Sequence, residues 1–460
     1  MFLVLGAVCA LVPSLAMWGF TVDDALIPVR YAHHLVTGAG YRFDLHGPPT
    51  DGVTPLPWSF LIAPLASGTA LTTLLRLKVL GVVAWTVAGA LLGARVGAVA
   101  GADRVRRSLA AAALVVMGLA FVIGAWASSG LESGVATALA TVAATRMGKP
   151  RQTAVLAGLA ATLRPELVVW AVAIAVGATL AREGARDRKR AWRDAAEGAA
   201  IAFLPFAICA LVRVVAFGRP APLAVLAKPS DLAHGAVYVG AAVLVVLTPL
   251  LVSAPLALWR ARGAAAAMVV AFLAHALAVL GAGGDWMPYA RLLVPVAPSL
   301  VIAFVELSRV ARPAWSVARL AAASALGVLL VVRAAPAGRG VYADRSDLIE
   351  RARPLLETSH VVAALDIGWV SAATDAQIVD LAGLTDPSIA LLPGGHTSKR
   401  VDVSMLLDRG VDTVIVYSAL REVEVRLLRA ELFTSRFEEA AQLPVGTRDA
   451  FYIVYRRRAL

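Results

Sequence analysis

The chain has 460 residues, of which 59% are hydrophobic and 16% charged, with a mean hydropathy of +0.75 and a formal net charge of +12. A soluble domain is about a quarter charged and less than half apolar, so this composition excludes a soluble enzyme, a disordered scaffold and a disulfide mini-protein. The first 339 residues hold 14 acidic and 29 basic side chains, whereas the last 121 hold 17 and 14. We therefore predict a membrane part followed by a water-soluble tail.

Apolar runs of membrane-crossing length recur along the first part of the chain. A hydrocarbon core of about 30 Å needs about 20 apolar residues in a helix, so the runs predict about 10 to 12 crossings. The first run has no basic segment before it and no small-residue cleavage site after it, which favours an uncleaved transmembrane helix over a signal peptide. The runs are 2–20, 56–75, 79–102, 108–127, 131–147, 153–181, 194–217, 236–259, 264–282, 291–308 and 315–333.

Two regions depart from this regular pattern. Arg164, Pro165 and Glu166 interrupt the run 153–181, and charges beside a proline are tolerated at membrane depth only where they face protein or water. We predict two short helices that meet at an outer turn. Between 55 and 103, two full crossings would leave the later loops on the wrong side, so one run is predicted to lie in the interface plane or to be re-entrant.

Basic clusters set the predicted orientation. Cytoplasmic loops of membrane proteins are rich in Lys and Arg, which accounts for the high net charge without nucleic acid, since no basic stripe interleaved with aromatic residues occurs. The protein is thus predicted to span the plasma (inner) membrane many times, with the tail outside. The cytoplasmic clusters are 104–107, 146–151, 182–193, 260–262 and 309–312, and the outward loops are 21–55, 128–133, 164–166, 218–234 and 281–289.

The tail alternates β-rich and helical segments, which is typical of a small α/β domain. The predicted fold is therefore mainly α: a polytopic transmembrane helix bundle over 1–333 and an extracytoplasmic α/β domain over 334–460. The predicted strands are 361–365, 377–381, 413–417 and 452–455, and the predicted helices are 404–408 and 422–432.

Acidic residues concentrate in the predicted outward loops. A carboxylate near lipid is costly unless it faces water, a partner or a metal, so this clustering indicates a site. Asp23 and Asp24 directly follow the first helix; adjacent like charges raise each other's pKa, and one could act as a general base while the other orients the acceptor or binds a metal. The clustered acids are Asp23, Asp24, Asp44, Asp51, Glu132, Glu166, Asp231 and Asp285.

Several of these loops resemble one family. The segments 23–32 (DDALIPVRYA), 38–43 (GAGYRF) and 51–58 (DGVTPLPW) resemble the first outer loop of GT-C membrane glycosyltransferases, and of the mycobacterial terminal β-(1→2) arabinofuranosyltransferase group in particular. Leu26 replaces the family's aromatic residue, and the loop 218–228 lacks its Asp and Asn, so the sugar and the acceptor stay open. Further similar segments follow in family order: 129–132 (SGLE), 163–166 (LRPE), 218–222 (GRPAP) with Ala227 and Lys228, 283–291 (GGDWMPYAR) and 380–387 (DLAGLTDP).

The resemblance implies a GT-C fold and an inverting sugar transfer from a polyprenyl-phosphate donor to a hydroxyl of a cell-envelope glycan, outside the membrane. Arabinofuranose is the sugar it suggests; a mannosyl or aminosugar transferase acting on protein or lipid is the alternative within this class. A secondary transporter and a noncatalytic binding protein are alternatives from other classes. The implied residues are Asp23 and Asp24 for catalysis, Arg164, Lys228 and Arg291 for the donor phosphate, and Arg30, Tyr31, Trp58, Glu132, Glu166, Asp285 and Trp286 for the substrate.

The need for a cofactor is left open by the sequence. Asp23 and Asp24 could bind a divalent metal such as Mg²⁺ or Mn²⁺. His33 and His34 are a poor metal pair, because adjacent residues on a helix point about 100° apart and no third ligand follows one turn later. Walker, GxSxG and HExxH motifs are absent, so nucleotide, serine-hydrolase and zincin chemistry lack support.

Overall fold

Helices dominate the protein. The computed structural model describes residues 1–183, 188–248, 262–446 and 449–459. Up to residue 248 the helices are α1 (Phe2–Ala16), α2 (Leu26–Val36), α3 (Trp58–Ile62), α4 (Ala70–Ala100), α5 (Arg104–Leu119), α6 (Phe121–Ala127), α7 (Ser133–Thr145), α8 (Pro150–Leu163), α9 (Val168–Glu183), α10 (Arg188–Phe217), α11 (Leu223–Ala227) and α12 (Leu232–Ala241).

Helices also make up most of the described chain from residue 262 to the start of the sheet. From there onward the helices are α13 (Gly263–Gly281), α14 (Ser299–Leu307), α15 (Pro313–Arg333), α16 (Pro336–Arg339), α17 (Val341–Leu356), α18 (Ile367–Ala373), α19 (Pro387–Ala390), α20 (Val403–Asp408), α21 (Glu422–Arg429) and α22 (Glu431–Arg436).

Five of the described helices are long and apolar enough to cross a membrane, and α5 with α6 forms a sixth candidate that is bent by 59°. Other apolar runs fold into helices of 10 to 17 residues, which is short of the ~20 that a crossing needs. The mainly helical fold with apolar spans is confirmed, but the described residues supply fewer crossings than the sequence predicts. The five are Ala70–Ala100, Pro165–Arg182, Lys189–Phe217, Gly263–Gly281 and Pro313–Arg333.

The structure shows what happens in the two irregular regions of the sequence, the break at 164–166 and the stretch between 55 and 103. Helix α8 ends at Leu163, Arg164 adopts an extended backbone, and Pro165 opens a short 3₁₀ turn that leads into α9, so the predicted break is confirmed. Between 55 and 103 only α4 is long enough to cross, because the first run folds into a ten-residue apolar helical segment, Leu56–Leu65. Residues 249–259 of the predicted run 236–259 and the basic Arg260 lie outside the described residues.

The chain divides into two compact units. We call one the helical unit (Met1–Phe20, Lys78–Cys209 and Ser230–Arg339) and the other the mixed unit (Thr21–Leu77, Ala210–Pro229 and Gly340–Leu460). The mixed unit thus joins the C-terminal region to two segments that the sequence assigns to the membrane domain, so a single boundary at 333/334 does not describe the structure. The physical reason is a set of polar contacts from the segment 21–77 to residues 366–385, described below.

Glycines allow α1 and α4 to pack closely in the helical unit. A Cβ atom on Gly93 would lie 2.1 Å from the carbonyl oxygen of Phe2, and one on Gly6 would lie 2.1 Å from that of Gly89. Small residues permit such close approach between apolar helices, where van der Waals packing replaces the hydrophobic effect as the driving force. A larger side chain at either position would force the two helices apart.

The mixed unit contains a five-stranded sheet with the order β2-β1-β3-β5-β4. Strands β2, β1 and β3 are parallel, and β5 pairs antiparallel with both β3 and β4. This confirms the predicted α/β domain and its four predicted strands. The strands are β1 (Val361–Ala364), β2 (Gln377–Asp380), β3 (Thr413–Tyr417), β4 (Phe437–Pro444) and β5 (Phe451–Arg457).

Candidate functional site

Asp23 lies in a short 3₁₀ turn, Asp23–Ala25, just before α2. Its two carboxylate oxygens accept hydrogen bonds from the backbone N–H groups of Gly368 (2.7 Å) and Trp369 (2.9 Å). These are orphan donors in the first turn of α18, so Asp23 acts as a cap supplied from a distant part of the chain. A Cβ on Gly368 would lie 2.0 Å from the carbonyl oxygen of Asp23, so the contact requires glycine.

Asp24 has a different environment, although it is the next residue. Its side chain is partly exposed, and among the described residues no hydrogen-bond donor or cation pairs with its carboxylate. Because Asp23 is anchored to α18, the backbone that carries Asp24 is fixed in position. The pair is therefore divided into an anchoring carboxylate and an available one, which is the arrangement that a general base requires.

A group of charged side chains surrounds Asp23. Burial raises the pKa of Asp23 to about 6; the charge of Arg345 and the hydrogen bond from Trp369 oppose this shift, whereas Asp366 and Asp24 add to it. Burial also disfavours the charged form of Asp366, but Arg421 and Arg345 outweigh that effect and place its pKa below the usual value. Asp23 therefore binds a proton at a higher pH than Asp366 does.

Asp366 is the centre of a hydrogen-bonded network. Arg421 Nη1 donates to Asp366 at 2.9 Å, and the Tyr452 hydroxyl donates to the same oxygen at 2.6 Å. Arg345 donates to that hydroxyl at 3.0 Å, and Arg421 also pairs with the buried Glu424 at 2.7 Å. This network holds the start of α18, and thereby the anchor for Asp23, against β5 and α21.

We expect Asp23→Asn to change the pH dependence of stability. Since folding raises the pKa of Asp23 from 3.8 to about 6, its stabilising contribution is complete below about pH 4 and is lost as the pH rises through 6. The amide has no such proton, so the free energy of unfolding of the variant relative to the native chain should increase between pH 4 and 7, with a slope of at most about 1.4 kcal/mol per pH unit. Denaturant unfolding across this range measures the difference, with the exposed Asp408→Asn as the control. Parallel stability curves for the native and Asp23→Asn proteins would contradict the shift.

Arg30 and Tyr31, predicted to bind substrate, make several hydrogen bonds to protein atoms. Arg30 is 7% exposed and donates to four backbone carbonyl oxygens at 2.7 to 3.2 Å: one in the loop after α2, one in α18 and two between α18 and β2. The Tyr31 hydroxyl bonds Thr50 at 2.7 Å and accepts from the Gly52 N–H at 3.2 Å. Trp58 is 2% exposed. All three side chains are buried, and the hydrogen bonds of Arg30 and Tyr31 connect segments of the mixed unit that are distant in sequence. They therefore stabilise the fold of this unit.

Five predicted residues from three separate loops converge in the helical unit. Arg164 pairs with Glu132 at 2.9 Å and with Glu166 at 2.5 Å, and Arg291 pairs with Asp285 at 2.7 Å. Two cations and three carboxylates thus lie in one cluster, with electrostatic coupling between Arg164 and Asp285. Arg164 and Arg291 are already neutralised by carboxylates, so they are poorly suited to hold a donor phosphate.

Trp286 and Lys228 keep accessible side chains. Trp286 is 62% exposed and stacks on His234 with 4.1 Å between ring centroids. Lys228 follows α11 and is partly exposed. Within the described ranges no carboxylate pairs with Lys228, so of the three cations predicted to bind phosphate it is the one with an uncompensated charge.

Asp380 organises the loop that carries the similar segment 380–387. Its carboxylate accepts from the N–H groups of Ala382, Gly383 and Thr385 at 2.7 to 3.2 Å and from the Thr385 hydroxyl at 3.0 Å. Burial raises the pKa of Asp380 to about 6, against the effect of these hydrogen bonds. The loop therefore connects β2 to α19 through a self-contained turn.

The sequence reasoning missed several residues that shape the site. Arg213 pairs with the fully buried Asp51 at 2.8 Å, and Arg345, Asp366 and Arg421 form the network near Asp23. Arg213 had a visible signal, since it is an arginine inside an apolar run. The other three lie in an ordinary charged domain, where no local pattern distinguishes them from solvated surface residues.

A cavity of about 770 Å³ lies in the mixed unit along one face of α2. Arg30 and Arg353 contribute positive charges and Glu357 and Asp375 negative ones, so the lining carries no net charge. Hydroxyl groups complete much of the remaining polar surface. The lining residues include Leu26, Val29, Arg30, His33, His34, Thr69, Thr73, Arg353, Glu357, Ser359, Ser371, Thr374 and Asp375.

His34 presents a defined acceptor to this cavity. Its Nδ1 lies 2.9 Å from the carbonyl oxygen of Arg42, so Nδ1 must carry the hydrogen and Nε2 carries the lone pair in the neutral ring. Burial lowers the pKa of His34, which favours this neutral form. Among the described residues Nε2 has no partner, and the Thr73 hydroxyl likewise has none. Both groups suit a ligand rich in hydroxyls.

The Asp pair offers two carboxylates in different states. Both oxygens of Asp23 already accept backbone N–H groups, whereas the Asp24 carboxylate has no partner among the described residues. In the described part of the chain no three His, Cys, Asp or Glu side chains lie close enough to share a metal ion.

Comparison with known proteins gives one match. Residues 345–455 match a domain of unknown function, DUF8728, and this range covers the network around Asp366 and all of the sheet except the last two residues of β5. No curated protein matches the chain. No solved structure matches it either. The matched domain covers less than half of the chain and carries no assigned activity.

Proposed function

We propose that this protein is a membrane glycosyltransferase that moves a sugar from a polyprenyl-phosphate donor to a hydroxyl of a glycan acceptor on the outer side of the plasma membrane. The observation that carries the proposal is the divided Asp pair, in which Asp23 caps α18 and Asp24 stays available. Five apolar helices suited to cross a membrane support the use of a lipid-linked donor. The resemblance of the outer loops to GT-C enzymes, and to arabinofuranosyltransferases among them, supports the same reaction class.

In this mechanism Asp24 accepts the proton of the acceptor hydroxyl. The acceptor oxygen attacks the anomeric carbon from the face opposite the phosphate, and the bond between that carbon and the phosphate oxygen breaks with inversion. The electron pair stays on the departing lipid phosphate. A cation stabilises this developing charge, and we propose Lys228 for this role because no described carboxylate pairs with it.

The acceptor is proposed to occupy the cavity along α2, whose lining begins at Leu26, two residues after Asp24. An uncharged glycan offers many hydroxyl donors and acceptors, and the lining offers a matching mixture with no net charge. A phosphorylated or anionic acceptor would instead favour an excess of cations. The cavity volume lies within the range of about 300 to 1,000 Å³ that is usual for small-ligand sites.

The test is sugar transfer by the full chain in detergent from a panel of radiolabelled polyprenyl-phosphate sugars, including arabinofuranose and mannose donors, to a synthetic glycan. We expect turnover with one donor and inversion at its anomeric carbon. Lys228→Gln should raise the KM for that donor about tenfold, the loss of roughly one charged interaction. The exposed Arg400→Gln is the matched control and should leave the KM unchanged.

Two outcomes would contradict the proposal. If no donor in the panel is consumed by folded protein, the transferase assignment fails. If one donor is consumed but Lys228→Gln changes kcat and KM no more than Arg400→Gln does, the reaction class stands and the role of Lys228 fails.

A further inference from the structure

A second cavity, of about 390 Å³, lies in the helical unit and is lined by three cations. No acidic side chain lines it. Arg95 comes from α4, five residues before that helix ends, whereas Arg146 and Lys149 come from the turn between α7 and α8. The complete lining is Leu91, Ala94, Arg95, Thr145, Arg146, Gly148 and Lys149. Two elements far apart in sequence therefore bring like charges together, an arrangement that is unfavourable without an anion.

The charges of this cavity are only partly compensated by the protein. Arg95 lies 3.8 Å from Glu306, but its Nε is buried and has no hydrogen-bond partner. For Arg146 and Lys149, no carboxylate of the described chain lies within ion-pair distance. In addition, the 14-residue helix α8 begins at Pro150, so its positive end adds to the potential of the turn. A buried unpaired guanidinium nitrogen and two unpaired cations indicate an anionic ligand.

We propose that this cavity binds the phosphate of an anionic membrane phospholipid. Leu91 and Ala94 form an apolar wall on α4, one of the helices suited to cross a membrane, and this wall suits the start of an acyl chain. Basic pockets between membrane helices are known to recognise anionic lipid headgroups. The inference rests on the proposed membrane location but not on the proposed sugar transfer.

The sugar donor is not the proposed occupant. The sequence assigns the basic turn 146–151 to the cytoplasmic side and the loop that holds Asp24 to the opposite side. A lipid phosphate in the cationic cavity would therefore lie in the other leaflet from the transferred sugar. Its role would be to hold α4 against the α7–α8 turn, since one phosphate can bridge cations from both elements.

The experiment measures lipid binding to the full chain in detergent by native mass spectrometry, with no sugar donor present. The probes are phosphatidylglycerol, phosphatidylcholine with the same acyl chains, and inorganic phosphate. We expect saturable binding of phosphatidylglycerol that the double variant Arg146→Gln/Lys149→Gln weakens about 30-fold, as follows from about 1 kcal/mol for each lost charge. The double variant Arg104→Gln/Arg312→Gln removes equal charge elsewhere and should bind as the native chain does.

Three outcomes would overturn the proposal. They are equal binding of phosphatidylcholine, equal weakening in both double variants, and inorganic phosphate binding as tightly as the lipid, which would make the cavity a site for small anions. If the first double variant does not fold, Lys149→Gln alone, an exposed position, should still weaken binding about fivefold. Because no donor is used, these outcomes are independent of the transfer assay.

Discussion

Replacing Asp24 with Asn is expected to lower the turnover number for sugar transfer by a factor of about 10² to 10⁴, the usual contribution of a general base. The amide keeps the size of the side chain but cannot take the acceptor proton. Since no described group pairs with the Asp24 carboxylate, the fold should lose little, and the unfolding midpoint should stay near that of the native chain. The KM for the donor should also change little, because the donor sugar is not the group that is deprotonated.

Comparison with Asp23 makes this prediction specific. Asp23→Asn should reduce turnover less, because Asp23 positions the loop and an amide oxygen can still accept one of the two N–H bonds. The exposed Asp408→Asn serves as the matched control and should be neutral in both kcat and stability. Turnover that survives in Asp24→Asn but collapses in Asp23→Asn would reverse the two roles, and turnover that is indifferent to both would remove the pair from the mechanism.

Arg30→Met is expected to destabilise the mixed unit by about 3 to 5 kcal/mol, the range for breaking a buried charged interaction. The guanidinium donates to the carbonyl oxygens of Phe43, Ser371, Thr374 and Ala376. Methionine has a similar length but no hydrogen-bond donor, so these four carbonyl oxygens would lose the hydrogen bonds that they accept from Arg30. Thermal unfolding of the purified full chain, followed by tryptophan fluorescence, measures the loss.

A matched variant separates this structural role from the substrate role that the sequence suggests. Arg400→Met removes an exposed arginine of the same unit and should change stability by less than about 0.5 kcal/mol. An unchanged unfolding midpoint together with a raised KM for a substrate in Arg30→Met would contradict the structural role and favour substrate binding by Arg30.

Much of the α/β fold could be predicted because its strands carry a local signal. Val361–Ala364 and Thr413–Tyr417 are continuous apolar runs suited to buried parallel strands, and both are confirmed. Strand β4 was missed because its sequence, FEEAAQLP, lacks β-branched residues and exposes Glu438 and Glu439 at the edge of the sheet. Edge strands commonly carry charge that discourages further pairing, and this same charge hides them from pattern analysis.

The site could be predicted in part. The acids and arginines of three predicted outward loops do converge, as Glu132, Arg164 and Asp285 show. What the sequence could not reveal is pairing: that Arg164 is neutralised, or that Asp23 caps a helix more than 340 residues later in the chain. Such contacts depend on tertiary structure, because a carboxylate next to a helix and one bonded to a distant backbone have the same local sequence.

The position of β5 has a consequence for biosynthesis. This strand follows every other element of the sheet along the chain, yet it lies between β3 and β4 and supplies the pairing partner of both. While the ribosome is still making β5, the unpaired edge of β3 is exposed and β4 has no partner within the sheet. The sheet, and with it the Tyr452 contact to Asp366, can therefore be completed only after β5 has emerged. A nascent chain stalled before residue 451 should accordingly remain a substrate for chaperones and proteases, even when its membrane helices are already inserted.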